Sequence, residues 1–237
     1  MKVELISHTD NAAYLCGEAA AVCTNSDKPE RAFCHAVDSG HTSILEHAVF
    51  TFKIEGLSRA ALAQLTRHRL ASFDVQSQRY VRIPEVNSVN SDNSNSGNKS
   101  NNSNNGNSSN NALIFPESIK ESSFYNEAKG IMGYVMTLYQ RMVDAGIPCE
   151  DARYITPQAV PTTLIMTMNA RELLHFFSLR TCNRAQWEIR ELADQMLKIV
   201  KQTEPRIFYL AGPACVTTGT CPEKKPCGYP RNQEDWN

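Results

Sequence analysis

Apolar and polar positions alternate with period two in KVELISHT (2–9), and β-branched and aromatic residues crowd HAVFTFKIEG (47–56); both stretches predict strands. Between them, the alanine-rich NAAYLCGEAAAVCTN (11–25) and KPERAFCHAVDSG (28–40) predict helices, the second closed by Gly40 as a left-handed cap. LSRAALAQLTRHRL (57–70) returns to a helical pattern, with Ser58 as its N-cap. Further along, residues 116–146 predict a long amphipathic helix that starts at Pro116 and ends at Gly146. PCEDARYITP (148–157) predicts a short helix stopped by Pro157, and residues 171–202 a second long helical stretch broken near Asn183. Two or three strands with long helices, and no alternating βα units, predict an α+β fold: a small antiparallel or mixed sheet packed with helices in one domain, 1–237.

Composition changes this picture at one place. Of residues 87–111, 20 of 25 are Asn or Ser, and Val89 is the sole apolar side chain. Such a segment cannot offset its ordering entropy by burial, which predicts a disordered insertion without chemistry. The rest of the chain, 237 residues at 41% hydrophobic, is long enough for a sizeable core. Its 24 basic and 25 acidic residues leave a formal charge of -1, so no global field draws it to nucleic acid or to an anionic membrane, and any anion site must be local. With no apolar run of spanning length and no signal-peptide pattern at MKVELISHTDNAAYLC, a cytoplasmic protein is expected. Eight cysteines without a CxxC pair are expected to be reduced thiols.

Positive charge concentrates in RHRLASFDVQSQRY (67–80). Taken as a strand from Phe73 to Arg82, its period puts Phe73, Val75, Ser77, Arg79 and Val81 on one face. A guanidinium on a face that also buries apolar residues needs an anion, either a ligand or a protein carboxylate. Arg67, His68 and Arg69 sit where a helix ends, and their charge equally suits the negative end of that helix. Arg180 falls seven residues after Leu173 and four after Phe176, on the apolar side of its helix. Arg153 has Glu150 and Asp151 as neighbours, which could simply pair with it. Together, Arg67, Arg69, Arg79, Arg153 and Arg180 offer fork-shaped donors suited to a phosphate and a uracil-like ring, and point to a nucleotide site.

The stretch RHRLASFDVQSQR resembles the RHR-x7-S signature of flavin-dependent thymidylate synthases, with Ser77 at the required spacing. GHTSILEHAVFTF (40–52) and MNARELLHFFSLRTCNRAQWEIR (168–190) resemble the family's segments on either side, so the likeness runs in order from about Gly40 to Arg190. The resemblance implies reductive methylation of dUMP to dTMP, with methylenetetrahydrofolate as carbon donor, FADH2 as hydride donor and NADPH recharging the flavin. It implies a homotetramer with active sites between subunits. By the same likeness His41, Ser43, Arg67, His68, Arg69, Asn169, Arg171 and His175 bind FAD, while Gln64, Arg67, Gln76, Ser77, Gln78, Arg79, Arg153 and Arg180 bind dUMP. Arg180 matches the residue that promotes ionisation of the uracil N3. Ser77 is expected to hydrogen-bond the nucleotide rather than attack it, since no base and orienting group accompany it. Asp74 and Val75 replace the family's Asn-Glu, so a side-chain ligand contact at Val75 does not carry over.

Three rivals stand against this. Cys149 follows a proline as in the cysteine-dependent thymidylate synthases, but the expected glutamine is missing. A nucleic-acid module would use residues 67–82 as a basic patch with Phe73 and Tyr80 for stacking, against which the neutral overall charge argues. Cys215, Cys221 and Cys227, six apart, lack the close pair usual in structural zinc sites.

Overall fold

The computed structural model describes residues 1–85 and 112–236. The expected disordered insertion, 87–111, lies outside the described residues. The chain opens with strand β1 (Lys2–His8) and helices α1 (Ala12–Thr24) and α2 (Pro29–Asp38). A 3-10 turn (Thr42–His47) leads into β2 (Val49–Ser58), α3 (Arg59–Leu65) and β3 (Ala71–Val75). After the insertion come α4 (Glu117–Lys120), α5 (Tyr125–Asp144), α6 (Cys149–Ala152) and β4 (Pro161–Asn169). The last helices are α7 (Ala170–Arg180), α8 (Trp187–Thr203), α9 (Pro205–Phe208) and α10 (Ala214–Thr217).

The strands form one antiparallel sheet in the order β1-β2-β4-β3, which makes the fold α+β as the pattern predicts. Backbone bonds set the register: Thr9 N–H donates to the Val49 carbonyl, and Ala170 N–H to that of Ala48, so β1 and β4 both run antiparallel to β2. Every second residue of β2 from Phe50 to Ile54 is buried, as are Thr162, Leu164, Met166 and Met168 in β4. Gly40 does adopt a left-handed φ of 75° after α2, and Gly146 a φ of 90° after α5.

Chain compactness divides the protein into two units. The first comprises 1–54, 61–74 and 163–237. Its core joins Phe50 and Phe52 of β2, Phe176 and Phe177 of α7, Phe208, and the inner face of α8 from Ile189 to Val200. Phe208 meets Phe50 edge-on at 5.3 Å and Phe177 at 6.1 Å. The C-terminal segment folds back on α8: Trp236 is 1% exposed, its indole N–H donates to Asp194 Oδ1 at 2.8 Å, and Arg231 pairs with the same carboxylate at 2.9 Å.

The second unit comprises 55–60 and 75–162. Ile83, Met136, Tyr139, Ala152 and Val160 form its core, flanked by Leu113, Met142, Val143 and Ile155. Arg82 donates to Gln140 Oε1 at 2.5 Å and pairs with Asp144 at 2.7 Å; Gln140 donates in turn to the Ile83 carbonyl at 2.9 Å.

Three expectations are corrected. Strand β3 ends at Val75, not Arg82: the Ser77 hydroxyl accepts from Arg79 N–H at 3.1 Å and the Ser77 carbonyl from Val81 N–H at 3.1 Å, which curls the chain. The helix expected over 116–146 is two, because Ser122 turns its hydroxyl onto the Ile119 carbonyl at 2.7 Å and accepts from Phe124 N–H at 3.3 Å. The helix expected over 57–70 is shorter: it starts at Arg59, directly after Ser58, which closes β2 and stands at the expected N-cap position, and it stops at Leu65, short of Arg67. Strand β4 has no counterpart among the predicted elements.

Candidate functional site

The RHR segment follows α3 as a turn, with Arg67 N–H bonded to the Gln64 carbonyl and His68 N–H to that of Leu65. Turned this way, Arg67 and Arg69 are exposed while the ring between them is 5% exposed. In the first unit an open cavity of about 680 Å³ is lined by Arg67, His68, Arg69 and Leu70, by Asn169, Arg171, Glu172, His175, Leu179 and Arg180, and by Glu46. That volume suits a cofactor-sized molecule.

Helix α7 supplies most of one wall because its residues 171, 172, 175, 179 and 180 recur at helical spacing. Asn169 fixes where that helix begins: its side-chain oxygen accepts from Glu172 N–H at 2.9 Å. Arg171 pairs with Glu46 of the 3-10 turn at 2.5 Å. Behind the cavity surface, His68 Nδ1 lies 3.0 Å from Glu172 Oε1 and its Nε2 accepts from Arg180 Nε at 3.1 Å. Burial holds the His68 pKa below its ordinary value; the Glu172 hydrogen bond opposes this, and the charges of Arg180 and His175 reinforce it. Burial and then the charge of Arg67 lower the Arg180 pKa, so its cation is short of solvent and of counter-charge.

The structure thus brings together Arg67, His68, Arg69, Asn169, Arg171, His175 and Arg180 from the expected set. His41 and Ser43 are exposed at the 3-10 turn that carries Glu46, and neither lines the cavity; Gln64 sits half-buried in α3, also off the lining.

The remaining candidates belong to the second unit. Arg59, Gln76, Ser77, Gln78, Val81, Arg82, Ile83, Pro84 and Pro161 line a small pocket there. Arg59 donates from Nη2 to the Gln76 carbonyl at 3.0 Å; among the described residues its buried Nε has no partner, nor has the buried amide nitrogen of Gln78. Burial lowers the Arg59 pKa, and the charge of Arg153 lowers it further. These two buried donors, beside the positive charges of Arg59 and Arg153, suit an anion. Arg153 donates to the Glu150 carbonyl at 3.1 Å. Arg79, expected on a buried face, is exposed and paired with Glu150 at 2.5 Å, the protein-carboxylate alternative for that residue.

Arg59 and Glu172 were not among the candidates. Arg59 had a signal in the sequence, a charge in the first turn of an otherwise apolar helix. Glu172 had none by itself: its burial makes sense only beside His68, 104 residues away. Among the described residues no group of three or more His, Cys, Asp or Glu could hold a metal ion, and no helix is long and apolar enough to cross a membrane.

A family model described as thymidylate synthase complementing protein matches residues 4–206. A flavin-dependent thymidylate synthase of Geobacter sulfurreducens is 41% identical over 236 residues, 94% of this chain and 91% of that one. Another, from Pyrococcus furiosus, is 44% identical over 190 residues, 78% of this chain and 69% of its own. Among solved structures, a flavin-dependent thymidylate synthase from Helicobacter pylori complexed with FAD and dUMP is similar in fold, with a TM-score of 0.68 and 23% identity over 90% of this chain and 100% of that chain.

Proposed function

Because the chain belongs to the flavin-dependent thymidylate synthase family, we propose that it methylates dUMP reductively to dTMP, with methylenetetrahydrofolate as carbon donor and NADPH as the source of reducing equivalents. The observation that carries this reading is the gathering of Arg67, His68, Arg69, Asn169, Arg171, His175 and Arg180 around one cavity. The donor set fits FAD: the guanidinium forks of Arg67, Arg69 and Arg171 suit a diphosphate, Asn169 and His175 offer polar contacts, and Leu70 and Leu179 offer apolar surface to a ring system. When bound, the reduced flavin supplies the hydride.

What the protein itself contributes is charge and position. Arg180 is fixed by a hydrogen bond and short of counter-charge, so it stabilises negative charge as it develops on a pyrimidine deprotonated at N3. That charge makes C5 of the ring a better nucleophile towards the folate methylene carbon. In the second unit, the unpaired donors of Arg59 and Gln78, with Ser77 and Arg153, suit the anionic part of a nucleotide. Ser77 spends its oxygen on the Arg79 amide, consistent with a binding role and not a nucleophilic one. A homotetramer with sites shared between subunits and a cytoplasmic location complete the proposal.

The test is a visible spectrum of the purified protein, then turnover. A flavin absorbance that bleaches with NADPH, and dTMP formed from dUMP and methylenetetrahydrofolate, are expected. A colourless protein that cannot be loaded with FAD and makes no dTMP would overturn the reading. Arg180→Ala should retain FAD and abolish dTMP formation.

A further inference from the structure

Glu172 is 6% exposed and is held at the cavity wall without a role in the binding assignments above. A buried carboxylate is costly unless paired, and its side chain meets His68 Nδ1 at 3.0 Å. On the far side of that ring, Nε2 stands 3.1 Å from Arg180 Nε. Arginine nitrogens only donate, so Nε2 has to present its lone pair. The ring proton then resides on Nδ1, where Glu172 Oε1 accepts it. Phe176, 5.0 Å away edge-on, and His175, at 6.1 Å, enclose the ring, and among the described residues the charged or titratable groups that act on it are Glu172, Arg180 and His175. Among the described residues the Arg180 side chain makes its hydrogen bond through Nε, which keeps both terminal nitrogens for a ligand.

We infer that Glu172 is a positioning residue for Arg180: by accepting the Nδ1 proton of His68 it imposes the tautomer in which the imidazole accepts from the guanidinium, and so aims the Arg180 fork into the cavity. The opposite tautomer would set an N–H of the ring against the N–H of Arg180 and push the fork away. Neutral His68 is needed for the same reason, since an imidazolium has no lone pair to offer. This inference rests on the proposed role of Arg180 at the pyrimidine.

Glu172→Gln is the variant of choice, because it keeps the size and removes the charge that dictates the tautomer. With FAD still bound, kcat is expected to fall about tenfold or more while KM for dUMP changes little, the mark of a contact made in the transition state. Arg180→Lys removes Nε and should lower kcat by itself. The decisive comparison is the double variant: if Glu172 acts through Arg180, adding Glu172→Gln to Arg180→Lys costs nothing further. Full additivity would sink the positioning role and leave the Arg180 reading standing; unchanged turnover in Arg180→Ala would remove the Arg180 reading itself. Should Glu172→Gln fail to fold, the unsubstituted holoenzyme still decides the matter through imidazole 15N shifts, with the His68 signals identified by their loss in His68→Gln. Protonation at Nδ1 near neutral pH is expected, and a His68 ring protonated at Nε2 overturns the inference.

Discussion

The thiol of Cys16 is fully buried in α1, and burial, helped by the charge of Glu204, pushes its pKa up to about 11. A thiolate is the reactive form, so Cys16 should resist alkylation in the folded protein while the exposed Cys23, Cys34 and Cys221 are modified. Mass spectrometry after a short maleimide pulse, with and without denaturant, reads this directly. His68 gives a pH dependence of definite sign. Its folded pKa lies below the ordinary 6.5, so in the window between the two the unfolded chain binds more protons. Its contribution to stability is complete above about pH 6.5 and is lost as pH falls through the folded value, a slope that should be smaller in His68→Gln when Tm is followed against pH. In the second unit, the Tyr139 hydroxyl accepts from the buried Ile83 amide at 3.0 Å. Tyr139→Phe strands that amide and should cost about 1–3 kcal/mol in denaturant titrations. At this scale the sequence was legible where periodicity marks a misplaced charge, as with Arg180. It was silent where meaning depends on a distant partner, as with Glu172 and with the orphaned nitrogen of Arg59.

Elements were legible to the extent that their patterns were local. Strand β2 alternates from Phe50 to Ile54, β1 has a strand-like composition, and α1 and α2 carry their own composition and stop signals, so residues and structure agree to within a few positions. Strand β4 escaped because PTTLIMTMN puts Leu164, Met166 and Met168, all favourable in helices, on its buried face; pairing with β2 decides it, and no propensity records that pairing. The end of β3 and the break before α5 were both made by serine side chains bonding their own backbone, a competition that hydrophobic periodicity does not display. Helix α8 is the counter-case, in which a single cap does the work: the Gln186 side-chain oxygen accepts from the amides of Glu188 and Ile189, each at 3.0 Å. Gln186→Ala should therefore destabilise the protein by about 1 kcal/mol without changing the bound flavin, as measured by chemical denaturation.

At the scale of the molecule, the Asn/Ser-rich stretch and the C-terminal segment make opposite predictions. Deleting residues 87–111 should leave turnover nearly unchanged, since such a composition offers little to bury and loop length has a shallow entropic cost. The C-terminal segment, past the residues matched by the family model, is bonded in instead: Arg231 reaches the Thr181 carbonyl at 3.3 Å, and the Asn183 amide donates to the Tyr229 carbonyl at 2.5 Å. Those bonds hold the turn just after Arg180. Trp236→Ala should cost about 3–5 kcal/mol in unfolding experiments, the range for emptying a packed aromatic site. The Trp236 indole also lies 4.6 Å beneath the Arg231 guanidinium and 5.6 Å from the Lys201 ammonium. Its only fellow indole, Trp187, is half-buried at the start of α8, so ultraviolet emission from this chain is in large part a gauge of whether its terminal strap is seated. On gentle heating, a red shift that precedes the fall in helical ellipticity would time the strap's release, with no dye attached.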